Sequence, residues 1–271
     1  MSESTLERVT AIIASLESVA VAFSGGADST LLLALCVRAL GTERVLAVTA
    51  DSPTLPRREL AEAAALAAEL GARHMMVTTD EIRDERFASN PPDRCYFCKQ
   101  ELFTRLRALA DREGLRHLVY GATADDLGDY RPGMRAASEA GALAPLLEAG
   151  LGKKEVRELS RELGLRTWNK PSMACLSSRF PYGNAITHQG LGRVEQGEDL
   201  LRHELGFRQV RVRDHDAMAR IEVELDDLPR LLTEQVRRSI VARFKALGYT
   251  YVTFDLEGFR SGSMNEPLRQ G

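Results

Sequence analysis

From Val19 to about Leu163, short apolar runs rich in β-branched residues alternate with longer stretches whose apolar positions recur at helical spacing. That rhythm belongs to βα units and predicts a parallel sheet. Strands are expected over Val19–Phe23, Val45–Ala50, His74–Val77, Leu118–Gly121 and Ala142–Leu146. Leu31–Leu40 is almost wholly apolar and should be a buried helix, whereas Arg58–Leu70 carries Ala and Leu at helical spacing beside Glu59, Glu62 and Glu69. Gly41 and Gly71 stand where those helices should stop. The rhythm breaks over Trp168–Gly192, where Pro171, Pro181, Gly183, Gly190 and Gly192 predict a long loop. Beyond it the pattern predicts a helix over Arg193–Leu205, strands Gln209–Arg213 and Ala219–Glu224, a helix over Leu232–Leu247 and a last strand Tyr249–Phe254. The expected architecture is an α/β parallel-sheet domain over residues 1–165, a linker over 166–192 and a smaller α+β domain over 193–271.

Composition narrows the class. The 271 residues are 44% hydrophobic and 28% charged, as in a globular chain long enough to bury its own core. Lys and Arg number 36 against 39 Asp and Glu, a net −3, and no basic run occurs, so a nucleic-acid partner is not expected. No apolar run approaches the roughly 18 residues of a membrane helix. Met1–Thr10 lacks the basic-then-apolar layout of a secretory signal, so a reducing cytoplasm is the expected setting. Cys36, Cys95, Cys98 and Cys175 are then not expected to form structural disulfides.

The most informative residues are Ser24-Gly25-Gly26-Ala27-Asp28-Ser29-Thr30, between the first strand and an apolar helix. Two glycines let the backbone approach an anion, and the helix start offers unpaired N–H groups and its positive dipole end. Ser24, Ser29 and Thr30 add hydroxyls. No Gly-Lys-Ser/Thr follows, which excludes the lysine-bearing loop that transfers a γ-phosphate. Asp28 would repel a polyphosphate unless a divalent ion accompanied it, so magnesium is implied. An ordinary capped turn is the competing reading. The position at the carboxyl edge of a parallel sheet favours a ligand.

This loop resembles that of the PP-loop ATP pyrophosphatases. The resemblance implies that Ser24, Gly25, Gly26, Asp28 and Ser29 hold the pyrophosphate of ATP, with Asp28 also catalytic, and that Ala50, at the end of the second strand, lies near the adenosine. Gly121 and Asp126 are placed on the nucleotide side with them. Asp125, Asp126 and Asp129 follow the fourth strand and could bind magnesium or cap a helix beginning near Leu127.

A narrower resemblance, to the LarE sulfur transferases that mature the nickel-pincer cofactor of lactate racemase, spans nearly the whole chain. It rests on Asn90-Pro-Pro-Asp-Arg-Cys95-Tyr-Phe-Cys98-Lys99, on Gly121 through Gly133, on Lys170-Pro-Ser-Met-Ala-Cys175-Leu-Ser-Ser-Arg179 and on Glu257 through Asn265. It implies a pyridinium dicarboxylate mononucleotide substrate, adenylated on its carboxylates and converted to thiocarboxylates. The chemistry agrees, since a carboxylate accepts no nucleophile until AMP is attached and the mixed anhydride then suits a soft sulfur nucleophile. Cys175 is the expected reactive thiol, with Lys170 and Arg179 as nearby cations, while Cys36 reads as a small buried hydrophobe. Three thiolates, Cys95, Cys98 and Cys175, can hold a [4Fe-4S] cluster with one iron open to carry the sulfide to be delivered, and zinc is the competing metal. Family members with only the Cys175 equivalent are held to sacrifice their own sulfur; this chain matches the three-cysteine form.

Arg211 and Arg213 lie two apart on a predicted strand and share a face, so they could grip a substrate phosphate or pair with Glu222 and Glu224 across the hairpin. Resemblance favours phosphate, with Arg179 and an acidic neighbour, Glu198 or Asp199; Asp199 is grouped with this set. The C-terminal domain is expected to bind that phosphate and to support a homo-oligomer. The sulfur donor upstream is not assigned. Three rivals remain: a tRNA thiolase, which would need a basic surface; an amide-forming synthetase, for which the three cysteines would be incidental; and a nucleotide-binding module without catalysis.

Overall fold

The structure, a computed structural model, describes residues 3–128, 131–171, 174–260 and 263. It divides into two compact units, one of Met1–Asp84 with Asp93–Met173 and the other of Glu85–Pro92 with Ala174–Gly271.

The first unit is built on a five-stranded, all-parallel sheet of β1 (Val19–Ala22), β2 (Val45–Asp51), β3 (Arg73–Thr78), β4 (His117–Tyr120) and β5 (Ala142–Leu143), in the order β3-β2-β1-β4-β5. The α/β expectation is met. β1 is central, Val19 lying opposite Val45 on one side and His117 on the other. Its Val-Ala-Val-Ala sequence is apolar at every position because both faces are covered. Val19 and Val21 pack with Leu31, Leu32 and Leu35 of the helix Ala27–Leu40, and with Val156 and Leu159 of the helix Lys153–Glu162. Ala20 faces the opposite way, among Phe103, Leu106 and Ala110 of the helix Arg94–Arg112.

The fifth strand is shorter than its apolar run, because Pro145 occupies the first turn of the helix Pro145–Glu148 and cannot continue the strand ladder. The turns that carry Ser24–Ser29 and Gly121–Asp126 leave the carboxyl ends of β1 and β4, the edge where open α/β sheets bind ligands.

In the second unit β6 (Val210–His215) runs antiparallel to β7 (Met218–Val223), with Arg211 opposite Glu222, and β8 (Tyr251–Phe254) runs parallel to β7. Phe207, Val212, Ile221, Phe244 and Tyr249 form its core. The helix expected from Arg193 begins earlier, spanning His188–Asp199, and passes into a π-turn over Leu200–Glu204. Thr187 caps it, its hydroxyl accepting from the Gly190 N–H at 3.0 Å. Gly190, read as loop from its neighbours, is helical because the helix presses it on Phe180, where a Cβ would lie 2.8 Å from Cε1. No helix among the described residues is long and apolar enough to cross a membrane.

Candidate active site

After β1 the chain turns through Gly25 at φ +69°, a conformation that L side chains rarely adopt, and Gly26 then caps the helix Ala27–Leu40. A Cβ on Gly25 would meet Ala63 of the helix Arg57–Glu69 at 3.2 Å, so the turn is backed tightly from below. Ser24 and Ser29 face each other across the loop, Oγ to Oγ 3.1 Å, and the Gly26 N–H is directed to the Ser24 hydroxyl at 3.4 Å. These groups and the helix start form a cluster of donors suited to an anion. Thr30, expected as a further hydroxyl, is only 1% exposed and turns into the core.

Gly121 ends the fourth β-segment directly against this helix start. A Cβ there would lie 2.9 Å from the Ser29 nitrogen and 3.1 Å from the Asp28 carbonyl carbon, both backbone atoms that cannot rotate away. Gly121→Ala is therefore expected to destabilise the first unit by roughly 1–3 kcal/mol through overpacking and to weaken ATP binding. Urea unfolding and the shift in melting temperature on adding ATP would show this; a variant matching the parent in both would mean that the helix start is not pinned here.

Burial raises the Asp28 carboxyl above the usual carboxylate range, and the charge of Asp126 adds to the rise, offset by Lys153, Arg157 and Arg131. Asp126 accepts from the Thr123 N–H at 2.9 Å and pairs with Arg131 at 3.1 Å, while Asp125 accepts from the Lys153 N–H and so caps a different helix from the one expected. A carboxylate at Asp28 whose proton affinity is raised by burial and by the charge of Asp126, beside a cluster of anion donors, fits a magnesium ion, which would relieve the repulsion. Lys153 and Arg157 escaped the sequence reading because neither lies in a motif. Their signal was position alone, since the helix after β5 starts at the ligand edge. Ala50 lies at the end of β2, opposite Val77 of β3. Asp129 and Tyr130 lie outside the described residues.

None of the four cysteines forms a disulfide. Cys36 is buried in the apolar core and its thiol is pushed up to about 12 by burial, which suits the inert role. Cys95 is exposed and Cys98 partly so, three apart at the start of the helix Arg94–Arg112 and hence on neighbouring positions of one face. The Cys98 thiol donates to Glu81 at 3.8 Å, a buried carboxylate that also accepts from the Ser52 and Thr54 hydroxyls at 2.6 and 2.8 Å. In the second unit Cys175 caps the turn Leu176–Arg179, partly exposed, with its sulfur 3.0 Å from the Ser177 hydroxyl. Three unburied thiols are the right donor chemistry for a thiophilic metal or a transferable sulfur. Among the described residues no group of three or more metal-ligating side chains is assembled. Ser172 and Met173 lie outside the described residues, as do Ser261, Gly262, Met264 and Asn265 of the C-terminal motif.

Two of the expected cations, Lys170 and Arg179, are held by several acceptors. The Lys170 ammonium is held within the first unit by Glu59, Glu62 and the Gly25 carbonyl. Arg179 is wholly buried, making a two-point pair with Glu198 at 2.7 and 3.0 Å and donating to the carbonyls of Ala174 and Cys175 at 2.9 and 3.1 Å. It braces the cysteine turn from inside. Glu198, 3% exposed, also accepts from the Val212 N–H and pairs with Arg202, whereas Asp199 turns outward toward His203. Of the two acidic candidates, Glu198 is the one among the arginines.

Arg213 pairs across the hairpin with Glu222 at 2.7 and 2.8 Å, the cross-strand partner foreseen, and donates to the Ser178 carbonyl. Arg211 lies against the Phe259 ring and is pulled down to about 9 by burial and by the like charges of Arg179, Arg202 and Arg213, with Glu198 opposing. A guanidinium stays charged at neutral pH, so Arg211 keeps its positive charge among Arg179, Arg202 and Arg213.

A parallel sheet whose first turn is this Ser-Gly-Gly-x-Asp-Ser cradle defines a PP-loop nucleotide-binding domain. The family model of NAD synthase matches residues 4–179. The chain is 43% identical over 260 residues to the pyridinium-3,5-bisthiocarboxylic acid mononucleotide synthase of Lactiplantibacillus plantarum, covering 95% of this chain and 92% of that protein. It is also 43% identical to an uncharacterized protein of Synechocystis sp., over 99% of both chains, and 35% identical to an NH(3)-dependent NAD(+) synthetase of Hyperthermus butylicus, over 70% of this chain and 68% of that one. The chain belongs to the LarE family of PP-loop proteins.

Proposed function

We propose that this protein is an ATP-dependent sulfur transferase that adenylates the carboxylates of a pyridinium dicarboxylate mononucleotide and converts them to thiocarboxylates. The observation that carries the reading is the coexistence of the anion cradle at Gly25–Ser29 with a partly exposed Cys175 held on a braced turn. The Lactiplantibacillus plantarum relative, a pyridinium-3,5-bisthiocarboxylic acid mononucleotide synthase, supports it, and the likeness to that relative extends over both units.

The residues divide the work. Ser24, Ser29 and the N–H groups at the helix start receive the β- and γ-phosphates, and Asp28 with Asp126 would hold magnesium. A substrate carboxylate oxygen bonds to the α-phosphorus, the bond to the bridging oxygen breaks, and pyrophosphate leaves with the charge the cradle stabilises. A sulfur nucleophile then bonds to the acyl carbon and AMP leaves with the electron pair. Arg211 and Arg213, with Glu198 fixing the arginine cluster, receive the substrate phosphate. Cys95, Cys98 and Cys175 would hold a [4Fe-4S] cluster, which would supply an exchangeable sulfide, and zinc is the competing occupant. Leu225, Leu232, Tyr251 and Leu256, each more than half exposed, leave apolar surface on the second unit for self-assembly.

Incubation with ATP, magnesium, a sulfide source and the pyridinium dicarboxylate mononucleotide should yield AMP, pyrophosphate and a product in which sulfur replaces carboxylate oxygen, read by mass spectrometry. Release of ADP, or turnover with ammonia in place of sulfur, would overturn the assignment.

A further inference from the structure

Lys170 lies in a Pro-flanked stretch that sequence reasoning tied to the cysteine chemistry, and its actual position gives it other work. Its side chain is 13% exposed, and Nζ lies 2.7 Å from Glu59 Oε2, 2.9 Å from Glu62 Oε2 and 3.2 Å from the Gly25 carbonyl oxygen. An ammonium has three hydrogens, and here three acceptors take them. None remains for a phosphate, so Lys170 does not act as a bare cation reaching into the anion site.

The third acceptor is the informative one. In a trans peptide the C=O and the following N–H point in opposite directions. Holding the Gly25 carbonyl from below therefore aims the Gly26 N–H to the other side, and that N–H is directed to the Ser24 hydroxyl on the cradle face. The same helix, Arg57–Glu69, presents Glu59 and Glu62 to Lys170 and Ala63 to the underside of Gly25. Gly25 at φ +69° can flip its flanking peptide more readily than any other residue, so an external clamp is what holds one orientation.

We infer that Lys170 is a positioning residue of the nucleotide site, a clamp with Glu59 and Glu62 that keeps the Gly25–Gly26 peptide oriented so that its N–H meets the pyrophosphate of ATP. This deepens the nucleotide-binding reading proposed above and rests on it. The contribution is to the binding of the phosphates, which the cradle grips before and during reaction, so it falls on KM more than on kcat.

The test uses the full chain. Lys170→Met should raise KM for ATP in pyrophosphate release by about tenfold, the equivalent of losing one charge-assisted hydrogen bond, with a much smaller change in kcat. It should also shrink the melting-temperature gain that ATP and magnesium give. Lys170→Arg, which can still donate to the carbonyl, should recover most of both. The double variant Glu59→Gln/Glu62→Gln frees the ammonium without removing it and serves also if Lys170→Met does not fold. Weaker ATP binding in the double variant supports the clamp, and tighter binding overturns it in favour of a direct phosphate cation. Unchanged KM and thermal shift in Lys170→Met overturn the clamp alone. Wild-type protein that gains no stability from ATP and magnesium overturns the nucleotide reading and the clamp together.

Discussion

Replacing Cys175 by Ser is expected to lower thiocarboxylate formation by about a thousandfold or more while ATP-dependent pyrophosphate release continues near the parent rate. The two half-reactions separate because they use different groups. In the proposed reaction, adenylation uses the cradle with Asp28 and Asp126, whereas the second step needs a sulfur nucleophile at neutral pH. Serine is nearly the same size as cysteine, and the turn is braced through the backbone carbonyls of Ala174 and Cys175 rather than through the thiol, so the fold should survive. Pyrophosphate release measured beside the mass of the product separates the steps. If the three thiols hold an iron–sulfur centre, anaerobically purified Cys95→Ser and Cys175→Ser should each lose iron and sulfide relative to the parent. Loss of the Cys175 sulfur from the intact mass after turnover, without iron, would establish a sacrificial route instead. Equal loss of pyrophosphate release and sulfur incorporation in Cys175→Ser would place the residue in adenylation and end this division of labour.

Glu198→Gln is expected to cost the protein roughly 3–5 kcal/mol, because it breaks a buried pair and leaves Arg179 without its compensating charge. Burial alone would raise the Glu198 carboxyl, but Arg179, through its charge and its two hydrogen bonds, then Arg202 and Arg211, outweighs burial and holds it at about 2 against an ordinary 4.5. A folded value below the unfolded one gives stability that is fully present above about 4.5 and is lost as pH falls from there toward 2. The variant should therefore be less stable at neutral pH and should also lack that part of the acid limb, both read by urea unfolding followed by circular dichroism across the pH range. Inorganic phosphate should restore part of the variant's stability, since an anion bound only by the folded arginine cluster stabilises by mass action. A loss below about 1 kcal/mol with an unchanged acid limb would mean that solvent, not Glu198, compensates Arg179.

Much of the architecture was legible from local pattern. The four-residue apolar run at β1 and its counterparts at β2 and β4 predicted a parallel sheet, because strands covered on both faces must be apolar at consecutive positions. The Ser-Gly-Gly-x-Asp-Ser turn marked a cradle, because a left-handed glycine before a helix start is a backbone requirement that sequence states directly. Gly190 was misread for the converse reason. Its place inside a helix is set by the ring of Phe180, ten residues away, and no local rule carries that contact.

What the sequence by itself determined is the parallel α/β sheet, the phosphate turn at its ligand edge and the separate identities of the inert Cys36 and the accessible Cys95, Cys98 and Cys175. Only the tertiary structure decided which charged side chains meet. It set Glu198 rather than Asp199 among the arginines, although the two are adjacent, because neighbouring positions on a helix point about 100° apart and only one can enter the core. It set Lys170 under Gly25, 145 residues back, because such contacts follow distance in space and are silent in the periodicity of the chain.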